Sequence, residues 1–160
     1  FHRNVKVSNT DDSTDAWYEV LTTHAIVRQN LTVTSSSLNA DAKEDIEIAN
    51  ASGFSSYNLL SITVNQPCHL VIYISDTART ADDNRTADTD PQPGSGVLAE
   101  IINTGNADTN ATFNFTPATL CWNDKTDSNN HKRIPMKVHH LGTAAKAVAV
   151  TLNVIPVELS

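Results

Sequence analysis

Tyr57-Asn58-Leu59-Leu60-Ser61-Ile62-Thr63-Val64, a Gln66-Pro67 break, and His69-Leu70-Val71-Ile72-Tyr73-Ile74-Ser75 together decide the fold class. Successive side chains of a strand point to opposite faces, so the alternation in the first segment reads as a half-buried strand with Leu60, Ile62 and Val64 on one face. In the second segment Leu70, Ile72 and Ile74 share one face while Val71 and Tyr73 share the other. That strand is apolar on both sides and is expected to be central. A polar, acidic span from Asp76 to Ser95 follows, and Gly96 to Ile102 returns as a third strand. Asp76 is placed to cap a short helix, because its carboxylate can accept from the first free N–H groups. The helix must end before Asp90-Pro91-Gln92-Pro93-Gly94, where prolines remove donors and push the preceding residues to extended forms.

The same strand signals continue outward. Leu31-Thr32-Val33 gives a β-branched run that Ser35-Ser36-Ser37 is expected to break, and Asp45-Ile46-Glu47-Ile48 alternates cleanly. Phe113 and Phe115 flank Asn114, and Leu120 to Trp122 resumes after Pro117. Asn123 to Arg133 is polar throughout and reads as an exposed loop tip. Ile134, Met136 and Val138 alternate, and the last strand alternates Val148, Val150, Leu152 and Val154 with Ala149, Thr151 and Asn153. Trp17 to Val20 reads as a short strand, and residues 1–13 as an N-terminal arm with Val5 and Val7 alternating around Lys6. These runs add up to about eight to ten short strands with turn signals every 8–12 residues or so. The expected fold is all-β: one β-sandwich over residues 1–160, jelly-roll or immunoglobulin-like, with one short helix in the 76–90 loop.

Composition narrows the function. Hydrophobic residues make up 39% and charged ones 18%, so Thr, Ser and Asn supply much of the polar surface. Eleven basic against eighteen acidic residues give a net charge of −7, which argues against a nucleic-acid partner. No apolar run reaches the roughly 18 residues of a membrane-spanning helix, and no signal-peptide pattern is read at the start. The sequence begins at Phe1 rather than Met, which leaves a longer parent chain open.

Cys68 and Cys121 can form one disulfide if the compartment is oxidising; otherwise they are two buried thiols. The Asp82-Asp83, Asp88 and Asp90 carboxylates share one loop, but their spacing matches no EF-hand and solvated charge is the simpler reading. His139 and His140 are neighbours on a strand and face opposite sides, so they do not chelate one ion together, although His131 can approach one of them. No Gly-x-Ser-x-Gly elbow, phosphate loop or dinucleotide fingerprint occurs. The expectation is therefore no enzyme activity and no cofactor. Trp17, Tyr18, Tyr57, Tyr73 and Trp122 are the aromatics available to stack on sugars. Sequons occur at Asn30, Asn50, Asn84, Asn110 and Asn114.

Several runs resemble a group of small β-rich virion proteins of tailed bacteriophages, notably those of cyanobacteria. They are Ser56 to Ile62, Cys68 to Tyr73, Ala78-Arg79-Thr80-Ala81-Asp82 with Arg85, Thr89-Asp90-Pro91, and Gly94-Ser95-Gly96-Val97-Leu98. The C-terminal runs Ile134 to Val138, Leu141 to Ala145, and Val148 to Leu152 with Pro156-Val157-Glu158 resemble them too. The likeness covers about residues 41–159 and carries no catalytic residue. It implies a structural subunit of a particle, in the tail, the fibre or a capsid decoration, that packs with copies of itself and with other virion proteins. The host surface glycan is a further expected partner. The competing class is an extracellular pilus or filament subunit in which an arm carrying Phe1, Val5 and Val7 is donated to a neighbour. A carbohydrate-binding module comes third.

Overall fold

The computed structural model describes residues 2–6, 17–21, 27–49, 54–123 and 133–157. β1 (His2–Lys6) and β2 (Trp17–Leu21) pair antiparallel in a sheet of their own, with Val5 opposite Tyr18. Of the expected arm residues, Val5 is thus already paired through its own chain, and Phe1 and Val7 lie outside the described residues. His131 lies outside them too.

Eight strands then make two four-stranded sheets. One has the order β3-β10-β5-β8, from β3 (Gln29–Leu38), β10 (Lys146–Pro156), β5 (Ser56–Val64) and β8 (Ala111–Trp122). The other has the order β4-β9-β6-β7, from β4 (Lys43–Ala49), β9 (Arg133–His140), β6 (Cys68–Tyr73) and β7 (Val97–Asn103). The pairing follows one rule: β3 with β10, β4 with β9, β5 with β8 and β6 with β7, all antiparallel. That is a single long hairpin with its tip between β6 and β7. Rolled up, it brings β10 against β5 and β9 against β6. This is the wiring of a double-sheet jelly roll. Of the two sandwich types the sequence left open, the strand order selects this one, because the immunoglobulin sheets pair their strands differently.

The rolled hairpin gathers the 39–42, 65–67, 104–110 and 141–145 connections at one end. There Asp41 N–H donates to the His140 carbonyl (3.0 Å) and Leu141 N–H to that of Pro67 (2.9 Å). Gln66 and Lys146 both donate to Asp108, at 2.7 and 3.0 Å. At the opposite end Asn123 N–H donates to Ser55 and Val157 N–H to Ser56.

The core lies between the sheets and is built in cross-strand rows. Leu31, Leu152, Ile62 and Phe113 face one another across one sheet, as do Val33, Val150, Val64 and Ala111. Leu70, Ile72, Met136 and Val138 answer from the other sheet, all fully buried. Each such side chain stabilises the fold by about 1.5–3 kcal/mol relative to exposure.

Local details depart from the sequence reading for physical reasons. Ser35 to Ser37 does not break β3: Ser35 is buried, and its hydroxyl accepts from Val148 N–H (2.9 Å) where the β3–β10 register shifts. Leu60 does not share a face with Ile62 and Val64, because a register shift in β5 puts Tyr57 and Leu59 on the core side instead. Pro135 lies in β9 but beyond the last β6 partner, Met136, so its missing donor breaks no bond on that side.

Candidate functional site

The two sheets have unlike outer faces. Counting Asp, Glu, Lys and Arg, strands β3, β5, β8 and β10 carry one charged residue, Lys146. The shorter β4, β6, β7 and β9 carry seven: Lys43, Glu44, Asp45, Glu47, Glu100, Arg133 and Lys137.

The charged face is covered by its own chain. Residues 74–96 leave β6, form the helix α1 (Asp76–Ala81) and return to β7, with Ile74 N–H bonded to the Gly96 carbonyl (2.9 Å) at the base. Ser75, not Asp76, is the N-cap: its hydroxyl accepts from Ala78 N–H, and Asp76 is the first helical residue, facing Arg79 at 2.7 Å. The arch is fixed by charged groups that reach across it. Arg79 donates to the carbonyls of Ile46 and Met136 and meets Asp45 at 3.3 Å. Lys137 is 2.7 Å from Asp83 and also donates to the Arg79 carbonyl. Lys43 donates to the carbonyls of Asp83 and Arg85. Arg85 Nε lies 2.9 Å from both Asp82 oxygens, its Nη1 lies 2.8 Å from Glu100, and the Tyr73 hydroxyl donates to Asp82 at 2.8 Å. The side chains of Arg85 and Asp82 are only 7% and 9% exposed. Under this cover all six residues of β6 are buried.

The arch corrects the reading of the acidic loop as solvated charge at Asp82 alone, whose side chain is largely buried, whereas Asp83 stays exposed while pairing with Lys137. Asp82 and Asp83 are docking groups for basic side chains of the sheet and of the arch itself, while Asp88 and Asp90 remain exposed. The Lys137 ammonium holds the Asp83 carboxyl below its ordinary range. Burial pushes the Tyr73 hydroxyl pKa up, and its bond to Asp82 adds to this. Burial lowers the His69 pKa, against the opposing pull of Glu100. His69, Tyr73, Asp82, Arg85, Lys137 and His139 border a cavity of about 10 Å³. It has room for about one water, far below the size of a small-molecule pocket.

The remaining candidates separate. His139 points outward, and its Nε2–H donates to Asp41 (2.6 Å). His140 points inward, fully buried, with Nδ1–H donating to the Asn39 carbonyl (3.2 Å) and Nε2 without a partner against Gly142. Cys68 and Cys121 are free thiols in different sheets. Cys68 lies opposite Asn103 and His140, and Cys121 opposite Tyr57. The disulfide that the sequence permitted is absent, because the roll sends the two cysteines to opposite ends of the sandwich. Burial pushes both thiols up to about 12. Tyr57 is a core side chain and Tyr73 is buried beneath the arch, whereas Trp122 is 48% exposed. Among the described residues no group of three His, Cys, Asp or Glu side chains could hold a metal ion, and no helix is long and apolar enough to cross a membrane.

The charge-free face lies open among the described residues, and its register is regular. Thr32, Thr151, Thr63 and Thr112 stand side by side across all four strands, and Asn30, Asn153, Ser61 and Asn114 make the next row. Thr63 and Thr112 hydroxyls are 2.9 Å apart, and Asn153 donates to Asn30 at 2.6 Å. Below these rows Ile155, Asn58 and Leu120 align, and Trp122 sits opposite Ser56. Sequence reasoning noted the Thr-rich strands but not this grid, which exists only once the register of four distant segments is known. No family model matches the chain, and no curated protein matches it.

Proposed function

We propose that this chain is a non-enzymatic structural subunit of a tailed-phage virion, in the tail, the fibre or a capsid decoration. The observation that carries the reading is the jelly-roll wiring, with strand orders 3-10-5-8 and 4-9-6-7. This architecture recurs in viral capsid and lectin domains. The rolled hairpin ties its first sandwich strand to its last, so no terminal strand of the sandwich hangs free. Its tip loop is bonded down across one sheet instead of projecting. A rigid module of this kind suits repeated placement in a particle. Donation of a β1 arm, as in a pilus, is less favoured, because β1 already has β2 as a partner.

Mass spectrometry of purified particles, with antibody labelling in electron micrographs, tests the proposal. The expected result is many copies per particle at one location. Absence from particles, together with a monomer in sedimentation at high concentration, would overturn it.

A further inference from the structure

We infer that the outer face of the β3-β10-β5-β8 sheet is a recognition surface for an uncharged glycan chain. This deepens the proposed function by naming a partner for the particle subunit, and it stands on a different observation: the segregation of charge between the two faces.

The chain has twenty-nine charged residues, eleven basic and eighteen acidic, yet its outward positions on this sheet hold none. An ordinary solvated sheet face mixes both signs of charge. Here Thr32, Thr151, Thr63, Thr112, Asn30, Asn153, Ser61 and Asn114 stand in two complete rows instead. Hydroxyls and amides both donate and accept, which is what a ligand made of hydroxyl groups requires. Neighbouring strands lie roughly 4.8 Å apart, so each row repeats its polar groups at that interval over four strands.

An apolar platform adjoins the rows. Leu120 is 53% exposed and Trp122 48%. They share the outward side of β8, since Cys121 between them is fully buried. A sugar ring presents C–H groups on one face and hydroxyls around its edge. Trp122 and Leu120 match the first, and the Asn and Thr rows match the second. An acidic or basic partner finds no counter-charge in these rows, which argues against charged polysaccharide, nucleic acid and ionic protein surfaces as the occupant. The pattern also accounts for one of the sequons: Asn30 and Thr32 are grid residues two apart on one strand face, so Asn30-Leu31-Thr32 follows from the grid without implying that the chain carries sugar.

The test is affinity electrophoresis in gels containing dextran, mannan or galactan, with hyaluronate as the anionic counterpart. Thr112→Glu and Trp122→Ala are compared with Asp90→Asn on the arch, and thermal melts establish that each variant is folded. The expected result is retardation by at least one neutral polysaccharide and not by hyaluronate, unchanged by added salt, because neutral contacts are not screened. Each face variant should weaken it by about tenfold or more, and Asp90→Asn should leave it unchanged. Three results would overturn the inference: no retardation by any neutral polysaccharide, retardation that salt abolishes, or retardation indifferent to both face variants. If Thr112→Glu breaks up an oligomer and glycan retention is absent, the face is a contact between copies and the glycan assignment fails. Absence of the protein from particles would refute the structural role without touching glycan binding, so the two failures are distinguishable.

Discussion

Arg85→Met is the perturbation that most directly tests how the arch is held. The Arg85 side chain is 7% exposed and bridges Asp82, 9% exposed, to Glu100, 29% exposed. Removing the guanidinium leaves the Asp82 carboxylate buried with the Tyr73 hydroxyl as its remaining close donor. Breaking a buried ion pair from one side costs about 3–5 kcal/mol, a large part of the 5–15 kcal/mol or so that holds a domain together. The loss has a ceiling, however. Once it exceeds the free energy of lifting the arch, residues 74–96 undock and Asp82 recovers water. Undocking exposes the outer sides of Val71 and Tyr73, now 2% and 1% exposed. Urea unfolding should thus show a drop of about 3 kcal/mol or more, and hydrogen exchange should rise in 74–96 and β6 before it rises in β10. Asp82→Leu combined with Arg85→Met should recover most of the loss, since replacing both members by apolar groups is often close to neutral. A single variant within about 0.5 kcal/mol of the parent, with arch exchange unchanged, would refute the claim that this pair fastens the arch.

Four further outcomes follow. Gly96→Ala should destabilise by about 1–3 kcal/mol, because Gly96 has φ +81° and a Cβ there would lie 2.7 Å from that of Ala78; an unchanged denaturation midpoint refutes it. Gly142→Ala should also destabilise, since its Cβ would meet His140 Nε2 at 2.6 Å, and calorimetry reads this as a lower Tm. His69 has its pKa lowered by burial, so the unfolded chain takes up the proton first. Its contribution is whole above about pH 6.5 and is lost as pH falls through the lower folded value; His69→Gln should flatten that part of the stability–pH curve. Native protein at pH 8 should leave Cys68 and Cys121 unreactive toward a thiol reagent, with both titrating after denaturation; fast labelling of the native state would refute their burial.

What could be read from the sequence was whatever lies within a strand or turn. The alternation at Asp45 to Ile48 and Val148 to Val154, the two-sided apolarity of β6 and the short helix after Ser75 are local signals, and each appears where the pattern put it. The wiring could not be read. Pairing Gln29 with Val154, or Glu47 with Pro135, joins segments about a hundred residues apart, and nothing local encodes such a partner. The arch was missed for a related reason. Asp82 looks solvated until Tyr73 is known to reach it from β6, and nothing local shows that Lys137, 54 residues away, pairs with the exposed Asp83.

The charge segregation joins these two levels. Four strands nearly free of charge are scattered along the chain as residues 29–38, 56–64, 111–122 and 146–156, interleaved with the charged ones. Only a hairpin rolled so that its turns alternate between sheets sorts them onto one side. Mixed charge on both faces would have satisfied solubility equally well. The charged side instead meets an arch that carries the complementary groups, Asp83 for Lys137 and Arg79 for Asp45. A face left neutral across four interleaved segments, in a chain of net charge −7, therefore calls for a cause beyond solubility. Contact with a neutral, hydroxyl-rich partner supplies one, and a single carboxylate placed at Thr112 is enough to test it.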